Sequence, residues 1–332
     1  ARFPSGRDEL AKGFRRGALG AGTAAFTQIF RHAFIVPLAR KTAQFPRGMV
    51  SPVRIDLHTH SNRSDGTEDP AVVMSAAAAA NLDVVGLTDH DTISGWNEAA
   101  EAVPSTGVAL VRGAEISCAV GGITVHLLGY LFDPDDAALN EVFSNTRTSR
   151  DNRARTMVDR LSVDYDITWQ DVLDQVQPGA TLGRPHIADA LVARGVVPER
   201  SAAFDDLLHP RNKYYVHNTT VNPVDVVRMV RAAGGVSIFA HPGASMRGRT
   251  VGPEVIEAMA RAGMAGLEVD HRDHTPKAKE RLRSLARDLG LVTTGSSDYH
   301  GSGKPNLLGE NLTAPEVLEF IEAEGTLEVI RP

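Results

Sequence analysis

The chain has 332 residues, 42% of them hydrophobic and 23% charged, which is ample apolar material for one large barrel or two ordinary domains. A formal net charge of −6 excludes wholesale coating of nucleic acid, while leaving room for a local basic pocket. The single cysteine, Cys118, excludes an intrachain disulfide and fits a reducing, cytoplasmic setting.

Residues 1–50 carry nine Lys or Arg against Asp8 and Glu9, so this stretch is about +7 and the remainder about −13. Its apolar run, Ala24 to Leu38, is broken by Arg31, His32 and Pro37 and is too short for a membrane span. It also lacks the continuous apolar region and small-residue cleavage site of a secretory signal. A basic extension outside the core is expected. Contact with a membrane surface through an amphipathic helix is the less favoured alternative. Met49 is the expected native start.

From residue 51 onward, apolar runs of strand length recur at Arg54–Leu57, Val84–Leu87, Val108–Val111, Val125–Tyr130, Val236–Ala240, Gly266–Val269 and Leu291–Thr294. Helical patterns separate many of them: Pro70–Asn81, Pro223–Ala233, Pro253–Ala262 and Pro276–Leu289. Proline opens each at a first-turn position, and Thr275 is a good cap for the last. Strands alternating with helices predict an α/β fold with a mostly parallel sheet, and seven or eight such units predict a closed barrel. Between 134 and 222 the alternation stops. Asp135–Leu161, Trp169–Val176, Pro185–Arg194 and Ser201–Leu208 read as helices with no convincing strand among them. The expected organisation is therefore a barrel in two parts, 51–133 and 223–332, with 134–222 a helical insertion lying over one end.

Nine side chains with metal-binding chemistry punctuate these runs. His58 and His60 are two apart on a strand and share a face, so their imidazoles converge while Leu57 packs opposite. The turn Ser64-Asp65-Gly66-Thr67 brings a carboxylate back toward them. In Thr88-Asp89-His90-Asp91, polar groups abruptly replace apolar ones at a strand's C-terminal end, where barrel active sites lie. Glu115 closes the run from Val111, and a carboxylate can bridge two ions. His126 sits inside Ile123–Leu128, where a lone histidine is ordinarily a hydrogen-bonded core residue. His241 follows Ser237–Ala240, and Ser297-Asp298-Tyr299-His300 supplies a second two-apart pair. Each has a bland reading alone. Together, all at or near the C-terminal side of predicted strands, they point to a multinuclear metal centre and hence to an enzyme.

The motifs His58-Thr59-His60, Thr88-Asp89-His90-Asp91, Gly113-Ala114-Glu115, His241-Pro242 and Ser297-Asp298-Tyr299-His300 resemble, in order and spacing, the polymerase and histidinol phosphatase (PHP) family of metallophosphoesterases. The likeness spans about residues 54–305. The resemblance implies a distorted (β/α)7 barrel with two or three divalent ions. The first would be held by His58, His60, Glu115 and Asp298, a second by Asp65, His90 and His300, and a third by Glu115 with His126 and His241. Mixed imidazole and carboxylate ligands suit Mn²⁺, with Zn²⁺ or Fe²⁺ as alternatives, better than Ca²⁺ or Mg²⁺. A metal-bound water would then be the nucleophile. Asp89, beside a ligand, is expected either to orient the site and shuttle a proton or to cap a helix.

Asp65, the turn around it, Arg184-Pro185-His186 and the insertion resemble the branch acting on nucleoside 3′,5′-bisphosphates and short 5′-phosphorylated oligonucleotides. Arg184 and His186 are the expected substrate contacts, a guanidinium being able to fork two phosphate oxygens. The run Arg147, Arg150, Arg153, Arg155 reads as a solvated helix face or as a contact for a second phosphate. The expected partner is a nucleotide or short oligonucleotide, without a stable nucleic-acid complex. Histidinol phosphate phosphatase is the enzymatic alternative, disfavoured by Asp65 where that branch commonly has histidine. A non-catalytic, metal-stabilised binding module is the alternative of another class. Asp270-His271-Arg272-Asp273-His274 is expected at most to support the site from behind or at its rim, Gly301–Lys304 to be a plain turn, and Cys118 to be a buried packing thiol. His32, His209 and His217 are expected to be structural or exposed.

Overall fold

The computed structural model describes residues 53–217 and 220–332, apart from the side chain of Arg247; the expectations for residues 1–50 lie outside these. Seven strands follow one another in sheet order: β1 (Ile55–Thr59), β2 (Val84–Leu87), β3 (Ala109–Val120), β4 (Ile123–Tyr130), β5 (Val236–Phe239), β6 (Gly266–Asp270) and β7 (Val292–Gly295). Beyond β7 the chain returns to β1: Thr59 bridges Tyr299 in parallel, and the His60 N–H donates to the Tyr299 carbonyl at 2.8 Å. The result is a nearly closed, distorted (β/α)7 barrel.

Neighbouring strands are parallel except around β4, which is antiparallel to both β3 and β5. The reversal comes from the two-residue link Gly121-Gly122. Both glycines have positive φ (57° and 73°), the backbone of the tight hairpin turn whose twist matches its strands. β3 therefore runs well past Val111, its second half pairing with β4 from Gly113↔Tyr130 to Val120↔Ile123.

Helices α1 (Pro70–Ala79), α2 (Trp96–Thr106), α7 (Pro223–Ala232), α8 (Pro253–Ala262), α9 (Pro276–Leu289) and α10 (Pro315–Glu324) accompany the strands. α8 and α9 run between a proline in the first turn and a left-handed glycine cap, Gly263 or Gly290, and Thr275 Oγ1 accepts the Ala278 N–H. Outward-facing Ile116, Cys118 and Leu127 pack with Val226, Val227, Val230, Ile256, Met259 and Leu282, which places the thiol in the core as expected. Inside the barrel, Ile55, Leu57, Val111, Leu128, Tyr130 and Ile238 form a second apolar plug. The segment between β4 and α7 folds as α3 (Ala137–Leu161), α4 (Trp169–Leu173), α5 (Arg184–Ala193) and α6 (Arg200–Asp205), with its own apolar cluster including Met157, Leu161, Ile187, Leu191 and Leu208. Among the described residues, no helix is long and apolar enough to cross a membrane.

Candidate metal centre

The nine predicted residues converge above the inner plug. On β1 the route differs from simple alternation. A register shift between Asp56 and Thr59 inserts one residue, so Leu57 turns inward into the plug and the histidines follow above it. Leu57 therefore does not pack on the opposite face, as alternation predicts. Gly86 of β2 makes this close passage possible, because a Cβ there would collide with the Leu57 carbonyl. His90, just past β2, forms an isolated bridge with Glu115 on β3. His126 departs from the expectation that all nine sit near C-terminal strand ends. It lies in the first half of β4, and reaches the same mouth only because that strand runs backwards. His241 and Asp298 adopt left-handed backbone (φ 32° and 56°), a strained conformation for such residues that is typically retained where a side chain must be aimed.

Glu115 is the hub. Its Oε1 lies 2.8 Å from His126 Nδ1 and 3.0 Å from His241 Nε2, while its Oε2 lies 3.0 Å from His60 Nε2, 3.1 Å from His58 Nε2 and 3.4 Å from His90 Nδ1. Asp298 Oδ1 stands 3.4 Å from His60 Nε2 and 3.5 Å from His58 Nε2. Asp65 Oδ1 is 3.1 Å from His300 Nε2, and its Oδ2 is 3.8 Å from His90 Nε2. Three sets have their ligand atoms within 4.8 Å of one another: His58, His60, Glu115 and Asp298; His60, Asp65, His90 and His300; and His90, Glu115 and His126.

The donor set itself asks for cations. His300 Nδ1 is 2.8 Å from the Asp298 carbonyl oxygen, which can only accept, so the ring carries its proton there. Burial and the Lys304 ammonium push His300 down to about 4, leaving it neutral with a bare Nε2 lone pair. That lone pair faces Asp65 Oδ1. Two acceptors 3.1 Å apart repel unless a cation lies between them. His58 Nε2 and His60 Nε2, 3.0 Å apart, suit two imidazoles on one ion with metal–nitrogen bonds of about 2.1 Å. Burial would lower His58 and His60, yet Glu268, Glu115 and Asp298 hold His58 well above its ordinary value, and Asp298, Glu115 and Asp65 raise His60 to about 9. Glu115 is held well below the usual range by His90, His126 and His58 in spite of burial. Positive charge is thus in demand at the centre.

A further layer fixes these groups. Asp89 accepts the Ser61 N–H (2.8 Å) and the hydroxyls of Ser61 and Ser64 (both 2.6 Å), so it anchors the loop between His60 and Asp65 and does not cap α2. Burial raises its pKa against the pull of His60 and these donors. Glu268, absent from the sequence reading, lies 3.0 Å from His58 Nδ1 and accepts the His241 N–H at 2.7 Å. Its visible signal is a lone acid inside the apolar run of β6. His271, in the stretch expected only behind the site or at its rim, is fully buried with Nε2 3.5 Å from Asp298 Oδ2. His274 is a structural residue, with Nδ1 on the Val269 carbonyl and Nε2 accepting the Gly243 N–H. The turn Gly301–Lys304 does more than reverse the chain, since Lys304 Nζ reaches Asp298 Oδ2 at 3.1 Å.

Beside this cluster the helical segment contributes arginines, and they are not a solvated face. Arg147 donates to the Asp91 carbonyl (2.7 Å), and Arg150 to the Asp91 carboxylate (2.9 Å) and Ser117 Oγ (2.6 Å). Arg150, Arg153 and Arg184 line one pocket with Gly183. Arg153 donates to the Val216 carbonyl, and Arg184 to that of Leu208 while resting over Phe204 and Tyr215. Neither has a carboxylate within ion-pair distance among the described residues. Burial, with Arg184 beside it, lowers Arg153 to about 10, and burial lowers Arg184. His186, buried at the start of α5, accepts the Gly183 N–H on Nδ1. Arg155, by contrast, rests over Trp169.

The PHP domain model matches residues 56–165. Over 286 residues the chain is 32% identical to the 3′,5′-nucleoside bisphosphate phosphatase of Chromobacterium violaceum, covering 84% of this chain and 98% of that protein. It is 30% identical over 260 residues to a 5′-3′ exoribonuclease of Haemophilus influenzae, covering 78% and 94%. The crystal structure of a proposed metal-dependent phosphoesterase from Bifidobacterium adolescentis superposes with a TM-score of 0.80 at 43% identity, covering 83% of this chain and 97% of that one.

Proposed function

The chain belongs to the PHP family of metal-dependent phosphoesterases, and on that premise we propose that it removes the 3′-phosphate from nucleoside 3′,5′-bisphosphates and trims short 5′-phosphorylated oligonucleotides. The observation that carries this reading is the pairing of two sites. A cation-demanding cluster suited to a phosphoryl group lies next to partly buried guanidiniums suited to a second, unreacting phosphate. A substrate with two phosphates matches both. The bisphosphate phosphatase and exoribonuclease names of its relatives support the same class.

His58, His60, Glu115 and Asp298 would hold one ion, Asp65, His90 and His300 a second, and Glu115, His126 and His241 a third. Ions bound there, with Mn²⁺ the expected occupant, would supply positive charge to the phosphoryl oxygens and acidify the attacking water. The protein's part is placement. Arg184 and Arg153 would bind the distal phosphate, their unpaired charge being what a dianion relieves. His186 would border that phosphate from the first turn of α5. Asp89 would keep the loop between His60 and Asp65 in place.

The test is phosphate release with Mn²⁺ from adenosine 3′,5′-bisphosphate, histidinol phosphate and a short 5′-phosphorylated RNA in parallel. Turnover of the bisphosphate or the RNA, abolished by chelator and by His58→Ala, is the expected result. Preference for histidinol phosphate would refute the substrate assignment, and no release from any of them would refute the catalytic reading.

A further inference from the structure

Glu268 is fully buried in the middle of β6, on the inner face of the barrel, and no ligand set of the centre needs it. A carboxylate in such a place needs partners, and its two oxygens have different ones. Oε2 accepts the backbone N–H of His241 at 2.7 Å, a group that can only donate. Oε1 lies 3.0 Å from His58 Nδ1. We propose that Glu268 is a positioning residue, whose two oxygens hold His58 with its proton on Nδ1 and pin the left-handed backbone of His241, so that one side chain presets ligands delivered by β1 and by the end of β5.

The chemistry follows from donor counting. With Nδ1 donating to Glu268, a ring that yields its other proton to an ion presents its lone pair on Nε2, the atom that faces Glu115 Oε2 (3.1 Å), His60 Nε2 (3.0 Å) and Asp298 Oδ1 (3.5 Å). The opposite tautomer would place a hydrogen where an ion must bind. The second oxygen acts on geometry. His241 has φ 32°, which the chain does not hold without support, and its Nε2 must reach Glu115 Oε1 at 3.0 Å. A glutamine of the same shape cannot replace both contacts, because an amide has one acceptor and both partners are donors. If its oxygen keeps His241, its NH₂ faces Nδ1, and His58 is driven to the wrong tautomer.

The inference rests on the metal-centre reading above, and its test separates the two. Isothermal titration calorimetry measures Mn²⁺ binding to the metal-stripped full chain, wild type and Glu268→Gln, with near-ultraviolet circular dichroism as the check on folding. The expected result is Mn²⁺ binding by wild type and about 10–100-fold weaker binding of at least one ion by the variant, with kcat lowered and KM little changed. Equal affinities would overturn the role of Glu268 while leaving the metal centre standing. Failure of wild type to bind Mn²⁺ would overturn the centre and this inference with it. Should the variant not fold, ¹H–¹⁵N NMR of the Zn²⁺-loaded wild type decides alone: a downfield, slowly exchanging His58 Nδ1 proton, the mark of a bond to a carboxylate, upholds the proposal, and a rapidly exchanging one at an ordinary imidazole shift refutes it.

Discussion

Replacing Arg150 by methionine removes a charge but keeps most of the side chain's length, and the structure sets the size of the effect. Asp91 is completely buried, and its carboxylate accepts the Ser117 N–H (2.8 Å), the Ser117 hydroxyl (2.8 Å) and the Arg150 Nε–H (2.9 Å). Arg150 is the cation of that pair, itself largely buried, and also donates to Ser117 Oγ at 2.6 Å. Removing one partner of a buried ion pair costs about 3–5 kcal/mol, because the other charge is left without compensation. The two Ser117 donors remain to solvate Asp91, which puts Arg150→Met at the lower end, about 3 kcal/mol. For the folded unit Ser51–Pro332 that corresponds to a fall in Tm of about 5 °C. Thermal unfolding should be followed at one fixed Mn²⁺ concentration, since ligand binding shifts Tm. The double variant Asp91→Asn with Arg150→Met should lose less than the sum of the single changes, because it buries no unpaired charge. A loss below about 1 °C in Arg150→Met, or strict additivity in the cycle, would refute the claim that this pair ties the helical segment to the barrel.

Metal removal should act on both stability and turnover: at free Mn²⁺ about 100 times its Kd, binding adds about 2.7 kcal/mol, so EDTA should lower Tm by several degrees and abolish phosphate release, and added Mn²⁺ should restore both. Gly86→Ala forces β1 away from β2 at the Leu57 carbonyl, directly beneath His58, and should weaken Mn²⁺ affinity in a calorimetric titration while leaving the helical circular dichroism signal in place. Arg184→Ala should raise KM for adenosine 3′,5′-bisphosphate about tenfold or more, the worth of a charge-assisted phosphate contact, with little change toward a substrate that has a single phosphate. Equal losses on both substrates would remove Arg184 from phosphate recognition.

Legibility from sequence followed the physics of each signal. α8 and α9 could be bounded from their prolines and glycines, because each of those residues has one tolerated place at a helix end. α2 and α10 were missed. α2 follows Gly95 without a side-chain cap and contains Pro104, and α10, although it opens on Pro315, has no side-chain cap and ends at Gly325 in extended backbone, without the left-handed glycine that closes α8 and α9. The direction of β4 was hidden for a different reason: an apolar alternation looks the same whichever way the strand runs. The hairpin signal lay outside the strands, in Gly121-Gly122. Most of the nine clustered residues could be found because each interrupts or ends an apolar run, and Asp65 because it lies in the polar turn that follows His58 and His60. Glu268 escaped as a single acid within a short strand, and Leu57 was misplaced because a one-residue register shift leaves no mark in composition.

The proposed substrate also explains why the arginines are tied to the barrel and do not simply hang over it. Two phosphates on one ribose stand at a separation fixed by covalent geometry, so an enzyme that binds one to metals and the other to guanidiniums must hold that separation itself. In this chain two consecutive residues span the interval. The His90 imidazole faces Glu115 and Asp65, while the next residue, Asp91, grips Arg150 with its carboxylate and Arg147 with its carbonyl. Asp91 has left-handed backbone (φ 53°), strain of the kind retained when two successive side chains must be sent to different tasks. Arg150 in turn borders the pocket of Arg153 and Arg184. Loosening Arg150 should therefore cost more toward a bisphosphate than toward a monophosphate, because only the former depends on the interval that His90-Asp91 fixes.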